Sequence, residues 1–206
     1  MVKDLRHFLD KVQKEMPEDF IRIKKEVDPK FEITAIQQKL EDEGRYPVLL
    51  FENVKNLYGE PSGFQVTSNL FATRQKCALA LDLNKEQWRK ETSLEYARRA
   101  NSLIKPVVVD KSEAPCKEVI MTGDQVDLYK LPVLTHHEMD GMPYFPDAVV
   151  AADPDNGVYN SSHHQAPVEL FYESPGERGV FAYCPCPGTS SGILFGIRIN
   201  LTHEHR

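Results

Sequence analysis

The chain has 206 residues, with 25 Lys and Arg against 31 Asp and Glu and a formal net charge of -6 at pH 7. This acidic balance, without a basic stripe that carries interleaved aromatic residues, argues against nucleic acid as the main partner. Hydrophobic residues make up 41% of the sequence, enough for a core, and no apolar run approaches the roughly 18 residues of a membrane span. With no signal-peptide pattern after Met1 and four Cys that form no disulfide framework, the sequence predicts a cytoplasmic protein.

The first 112 residues alternate between helical and strand patterns, which predicts an N-terminal α/β domain. Apolar residues recur at helical spacing near the start, and this stripe is expected in the core: Leu5, Phe8, Leu9, Val12 and Met16. A strand is predicted over residues 20–27. Thr34 with Gln37 fits a capping box for a helix that runs to about Asp42 and ends at Gly44.

The rest of this domain follows the same logic. Residues 48–51 are strand-like, and residues 73–81 and 84–104 are predicted helices. The second helix is expected to bury four side chains: Trp88, Leu94, Ala97 and Leu103. A short strand over residues 107–109 and a linker over 110–115 lead to a second, β-rich unit.

Residues 132–165 read as one functional unit. A His-rich loop, Thr135 to Glu138, precedes an apolar strand over 148–152, which is expected to be buried on both faces. The segment 153–157 ends in Asn156-Gly157, a pair that tolerates the positive φ of tight hairpin turns. The return strand, residues 159–165, carries Asn, Ser and His where a core strand would carry Val or Ile. This composition indicates a functional site on the strand.

Strand alternation separates the polar side chains into two sets: Asn160, Ser162 and His164 on one face, and Ser161, His163 and Gln165 on the other. Neither face alone supplies the three or four ligands that a closed transition-metal site needs. From the residues alone, His163 and His164 fit solvated or core positions as well as a site. A catalytic role for His136, His137 and Glu138 is disfavoured, because His is common in loops and no partner residue can be assigned.

Several blocks occur in one order along the chain: residues 27–34, 47–55 and 69–74, then a central region with segments 130–135, 140–144 and 149–160. Together they resemble the UbiD-type decarboxylase family over about residues 1–165. The resemblance implies an α+β protein, with an N-terminal α/β domain over 1–112 and the first part of a flavin-reductase-like split β-barrel over 113–165. It also implies reversible, non-oxidative decarboxylation of an aromatic or α,β-unsaturated carboxylic acid.

The same resemblance implies prenylated FMN, a divalent metal, Mn or Mg, and a monovalent cation as cofactors. In the family an Asn ligates the metal that holds the flavin phosphate, and that Asn corresponds to Asn160; His163, His164 and Gln165 are then expected beside the flavin. Gln165 stands where the family usually has Arg, and Phe145-Pro146-Asp147 replaces a common Thr-Ser-Gly stretch. A flavin prenyltransferase as cofactor supplier and a homo-oligomeric assembly are expected partners, with no nucleic acid and no membrane span.

Residues 166–206 are interpreted as a divergent tail, from a frame shift or a truncation, because the family's downstream His and Glu residues are not found there. Two Cys and two His in this tail have a spacing that is uncommon for structural zinc, and an exposed tail is the favoured interpretation: Cys184, Cys186, His203 and His205. The alternative to a decarboxylase is a non-catalytic remnant or a partner-binding subunit of such an enzyme.

Overall fold

The structure is a computed structural model that describes residues 4–105, 107–114, 117–122, 125–146, 148–153, 155–163, 166–168, 181–183 and 192–193. Helices and strands alternate in the first half, and strands follow in the second, so the protein is of the α+β class, as predicted. The helices are α1 (Leu5–Glu15), α2 (Glu32–Asp42), α3 (Arg74–Ala80) and α4 (Lys90–Ala100). The strands are β1 (Phe20–Ile23), β2 (Val48–Phe51), β3 (Phe64–Ser68), β4 (Val119–Met121), β5 (Tyr144–Phe145), β6 (Ala148–Ala152), β7 (Tyr159–His163), β8 (Ala166–Pro167), β9 (Phe181–Tyr183) and β10 (Gly192–Ile193).

The chain forms two compact units that are interleaved in sequence. The first unit contains Met1–Lys25, Ala35–Glu52 and Thr67–Val109. The second unit contains Glu26–Thr34, Asn53–Val66 and Asp110–Arg206. Two short segments from the first third of the sequence are therefore part of the second unit.

The core of the first unit is built on α1, and the predicted apolar stripe is buried except at Leu5, which is partly buried against the core. The side chain of Asp4 accepts a hydrogen bond from the backbone N of His7 at 2.8 Å and caps the helix. The core cluster combines this stripe with one residue each of β2 and α3: Phe8, Leu9, Val12, Met16, Val48 and Leu79. All four residues of β2 are buried, and β2 pairs in parallel with β1 from Phe20–Val48 to Ile23–Phe51.

Strand β1 ends at Ile23, four residues before the predicted end at Val27. Lys24 and Lys25 follow it and are exposed, and Val27 is buried in an isolated parallel bridge to Val54. The apolar spacing of this segment therefore comes from two separate pairings, which a periodic pattern cannot distinguish from one longer strand.

The predicted capping box of α2 is wrong. The helix begins at Glu32, whose carboxylate accepts a hydrogen bond from the backbone N of Asp28 at 2.7 Å, and Thr34 lies inside the first turn. Gln37 donates to Glu41 at 2.9 Å instead of reaching back to the helix start. The predicted end is confirmed, because Gly44 has a φ of 72°, the left-handed conformation typical of a helix C-terminus.

Helix α3 lies within the predicted range, but the prediction for α4 is only partly confirmed. The helix runs only from Lys90 to Ala100, so Trp88 and Leu103 lie outside it. Three of the four side chains that were expected to be buried are exposed: Leu94 at 64%, Leu103 at 91%, and Ala97. Polar contacts hold α4 instead: the guanidinium of Arg99 donates to the carbonyl of Leu81 at 2.6 Å. The predicted strand over residues 107–109 is wrong: these residues are exposed and belong to no strand.

The second unit has its own core, and its strands pair mainly as antiparallel ladders. The core cluster contains Leu128, Leu131, Val133, Phe145 and Val168. The antiparallel pairs are β4 with β9, β5 with β8 and β6 with β7, and β3 pairs in parallel with β10. No helix in the described part of the chain is long and apolar enough to cross a membrane.

Lys76 on α3 is a charged residue with a fully buried side chain in the first unit. Its Nζ donates to the carbonyl of Tyr46 and lies 3.6 Å from the carboxylate of Asp19. Burial lowers the pKa of Lys76 from its usual 10.5, and the attraction to Asp19 only partly offsets this. The desolvation of the Lys76 ammonium therefore costs more free energy than its contacts with Tyr46 and Asp19 recover.

Lys76→Met should raise the free energy of unfolding by about 1 kcal/mol, because Met fills the same space without a desolvated charge. The free energy of unfolding of Lys76→Ala should be about 2 kcal/mol lower than that of Lys76→Met, since the Ala side chain leaves a cavity. Urea denaturation of the three proteins measures both differences, with Lys90→Met as the exposed control. A loss of stability in Lys76→Met as large as that in Lys76→Ala would show that the ammonium itself stabilises the fold.

The stability of the protein should also depend on pH through Lys76. Between its lowered pKa and 10.5, the unfolded chain binds more protons at this site than the folded chain does, so the free energy of unfolding rises with pH in that window. The difference between wild type and Lys76→Met isolates this effect from the other lysines and the tyrosines. We expect the advantage of Lys76→Met to shrink as the pH rises from neutral towards 10.5; a constant difference would contradict the assignment.

Candidate functional site

The polar return strand that the sequence singled out forms a hairpin with the apolar strand before it. Strands β6 and β7 pair antiparallel, with Ala151 opposite Asn160 and Ala148 opposite His163. The backbone N of Gly157 donates to the carbonyl of Asp153 at 2.8 Å, and Gly157 has a φ of 71°. The predicted hairpin and its turn are therefore confirmed.

The predicted site residues are described to different degrees. The backbones of Asn160 and His163 lie on β7, while their side chains, and those of β6, are outside the described part of the structure. His164 and Gln165 lie outside the described residues altogether. The two Cys and two His residues of the proposed tail also lie outside the described residues: Cys184, Cys186, His203 and His205.

The His-rich loop is ordered by one acidic side chain. The carboxylate of Asp140 accepts hydrogen bonds from the backbone N of His136 at 3.0 Å and of His137 at 2.8 Å. The Nδ1 atom of His136 is 3.2 Å from the hydroxyl of Thr34, and its ring lies 5.4 Å from that of Tyr144. Burial lowers the pKa of His136, so the imidazole is neutral at pH 7 and is a packed hydrogen-bonding group. This arrangement is consistent with the expectation that a direct catalytic role for the loop is disfavoured.

A cavity of about 680 Å³ opens in the second unit. This volume lies within the range of about 300–1,000 Å³ that is typical of small-molecule sites. Its walls come from three parts of the sequence, and the lining residues are Asp28, Pro29, Lys30, Phe31, Asn56, Leu57, Tyr58, Gly59, Tyr129, Thr135, Glu138, Gly141, Met142 and Pro143. None of these residues is on β6 or β7.

Sequence reasoning missed this cavity. Residues 28–31 were noticed only as a block of family resemblance, and Tyr58 and Tyr129 were not singled out. The lining residues are up to 115 positions apart, from Asp28 to Pro143, and they follow no common period. The parallel bridge between Lys30 and Thr135, which brings two of the walls together, leaves no local signal.

The described residues contain no group of three or more His, Cys, Asp or Glu that could hold a metal ion. Asn160 offers an amide oxygen, a hard donor of the kind that Mg²⁺ and Mn²⁺ prefer. The donor chemistry of Asn160 therefore fits one ligand position for such an ion.

Two family models match this chain. The model of the 3-octaprenyl-4-hydroxybenzoate carboxy-lyase N-terminal domain matches residues 13–93, and the model of the Rift-related domain of the same carboxy-lyase matches residues 107–169. The hairpin of β6 and β7 and the His-rich loop both fall within the second match.

Individual proteins agree with the family models. Phenolic acid decarboxylase from Sedimentibacter hydroxybenzoicus is 34% identical over 157 residues, which cover 74% of this chain and 31% of that protein. The closed form of vanillic acid decarboxylase from the same organism superposes with a TM-score of 0.70 at 29% identity, over 89% of this chain and 37% of that one. An evolved dimeric form of the UbiD-class enzyme HmfF from Pelotomaculum thermopropionicum, in complex with prFMN, gives a TM-score of 0.62 at 32% identity, over 81% and 37%.

These relatives are much longer than this chain, and the chain spans about a third of their length. Both family models belong to one carboxy-lyase, and they match in the order in which the two units' main segments occur. The chain therefore belongs to the UbiD family of decarboxylases, of which it contains the N-terminal part.

Proposed function

We propose that this chain is the cofactor-binding N-terminal part of a decarboxylase that acts reversibly, without oxidation, on an aromatic or α,β-unsaturated carboxylic acid. The observation that carries the proposal is the β6–β7 hairpin, which lies inside the region matched to the Rift-related domain and has Asn160 on its return strand. The names of the relatives support the substrate class, since they include decarboxylases of phenolic acid and of pyrrole-2-carboxylic acid. In the same proposal, residues 113–165 are the first part of a split β-barrel.

The cofactor in this proposal is prenylated FMN, supported by the prFMN complex of HmfF. The bound flavin supplies the electron-accepting chemistry, and the protein binds and orients it. Asn160 would supply its amide oxygen as one ligand of a divalent metal, Mn or Mg, that neutralises the flavin phosphate. His163 and His164 contact the flavin, and a monovalent cation, a flavin prenyltransferase and a homo-oligomeric state complete the proposal.

Gln165 has a distinct role in the proposal. An Arg at this position would offer a charged, bidentate fork to the substrate carboxylate, whereas Gln offers one neutral N–H donor group. Recognition of the acid by this chain is therefore expected to be weaker and less dependent on ionic strength than with Arg.

The direct test is to produce the chain together with a flavin prenyltransferase and to measure bound flavin by absorbance. Carbon dioxide release is then assayed with phenolic, heteroaromatic and α,β-unsaturated acids. Retained flavin with CO₂ release supports the decarboxylase. A folded chain that retains no flavin under these conditions favours the alternative, a non-catalytic or partner-binding subunit.

Asn160→Ala should lower the amount of flavin and of divalent metal that copurify with the chain, each by about tenfold, because one ligand of the metal at the phosphate is lost. Absorbance gives the flavin content and elemental analysis gives the metal. Ser161→Ala is the matched control, since Ser161 is the adjacent residue, is exposed and points to the opposite face of β7. Equal flavin and metal contents in all three proteins would contradict the role of Asn160.

Gln165→Arg should tighten binding of an aromatic carboxylate to the flavin-loaded chain by about tenfold, because a charge-assisted hydrogen bond replaces a neutral one. Titration of flavin absorbance with the acid at two salt concentrations measures this gain. Gln165→Lys, which adds charge without the planar fork, should recover less of it. Unchanged affinity in Gln165→Arg would place this residue away from the carboxylate.

A further inference from the structure

The loop that forms one wall of the 680 Å³ cavity is held rigid by internal hydrogen bonds. The side chain of Asn56 is buried, and its Oδ1 accepts from the backbone N of Tyr58 at 2.9 Å and of Glu60 at 3.0 Å. The backbone N of Leu57 donates to the carbonyl of Tyr129 at 2.9 Å. The loop therefore presents Tyr58 from a fixed backbone that is tied to the neighbouring wall.

Tyr58 and Tyr129 form an aromatic pair at this wall. Their ring centroids lie 5.7 Å apart with an interplanar angle of 36°. One carboxylate fixes both residues, because Asp127 accepts from the hydroxyl of Tyr58 at 3.2 Å and from the backbone N of Tyr129 at 3.1 Å. The two rings are thus pre-organised, which lowers the entropic cost of binding a ligand against them.

Phe31 supplies a third aromatic residue to the lining of the cavity. Its backbone has a conformation that non-glycine residues rarely adopt. Phe31 has a φ of 70°. Its backbone N donates to the carbonyl of Thr135 at 3.0 Å, and the N of Thr135 donates to the carbonyl of Pro29 at 3.3 Å. Strained residues that the surrounding structure holds in place cluster at ligand sites.

The charges on the lining decide which ligands suit the cavity. Asp28 and Glu138 contribute two carboxylates and Lys30 contributes one ammonium, so the described lining carries a net charge of -1 (+1 - 2). The Nζ of Lys30 lies 5.4 Å from the centroid of the Phe31 ring, within the range of a cation–π contact, so Lys30→Gln would free this ring for a ligand cation. Aromatic faces together with carboxylates favour cations and oppose carboxylate ligands.

We propose that this cavity is a second binding site, separate from β7, for an organic cation that joins an ammonium or guanidinium group to an apolar body. The rings of Phe31, Tyr58 and Tyr129 receive the cation and the apolar body, and Glu138 and Asp28 balance the charge. The site does not depend on the proposed decarboxylase function, whose acid substrate carries the opposite charge.

Three probes that share a benzyl group test the proposal on the full chain: benzyltrimethylammonium, benzyl alcohol and phenylacetate. Ligand-observed NMR titrations at constant ionic strength give their affinities. We expect benzyltrimethylammonium to bind about tenfold more tightly than benzyl alcohol, with phenylacetate weakest. An affinity order in which phenylacetate binds best, or binding of none of the three, would overturn the proposal.

Charge variants separate a cation site from a merely apolar one. Glu138→Gln should weaken benzyltrimethylammonium binding several-fold, while Lys30→Gln should strengthen it, because it removes the only cation of the described lining. Glu118→Gln, an exposed acid of the same unit outside the cavity, is the matched control and should change nothing. Stronger binding of benzyltrimethylammonium to Glu138→Gln together with weaker binding to Lys30→Gln would mean that the cavity prefers anions, and this result would overturn the proposal.

Ring variants test the aromatic contribution. Tyr58→Phe keeps the ring but loses the hydrogen bond to Asp127, so the affinity for benzyltrimethylammonium should fall by no more than about twofold, whereas Tyr58→Leu should lower it about tenfold. Tyr58 is 59% exposed, so both variants are expected to fold, and circular dichroism melts check this. Equal affinities in Tyr58→Leu and Tyr58→Phe would remove the ring from the site and contradict the proposal.

Discussion

The second unit depends on a short parallel bridge between residues that are 105 positions apart, Lys30 and Thr135. Two backbone hydrogen bonds form it, and both use Thr135, one through its N and one through its carbonyl oxygen. The bridge holds Phe31 at its positive φ, and it leads directly into His136, whose Nδ1 lies 3.2 Å from the hydroxyl of Thr34. A buried residue such as Thr135 must satisfy both backbone groups, and this requirement fixes the register of the two segments.

The bridge and the β6–β7 hairpin belong to two different proposals. The hairpin places Asn160 on β7, and the proposed function assigns this residue to a divalent metal. The cavity beside the bridge combines three aromatic rings with an excess of carboxylates, which suits an organic cation. The two proposed sites therefore use different segments of the same unit.

Local patterns predicted elements whose stability is local. The stripe on α1, the buried strand β2, the glycine end of α2 and the Asn156-Gly157 turn all follow from spacing or from backbone conformation, and the structure confirms them. The errors share a cause. Leu94 lies on α4 but is exposed, because the Arg99 contact to a backbone carbonyl holds this helix, and Leu103 lies beyond its end. Thr34 lies beside the ring of His136 instead of capping a helix.

The sequence by itself determined the class of the fold, the hairpin and the membership of the UbiD family, because ordered blocks and local turn chemistry are written in neighbouring residues. Tertiary structure decided the rest. Whether Val27 extends β1 or pairs with Val54, and whether Phe31, Tyr58 and Tyr129 share a cavity, depends on contacts between distant segments. Such contacts satisfy buried backbone groups and fill space without any periodic trace in the chain, so only the folded arrangement reveals them.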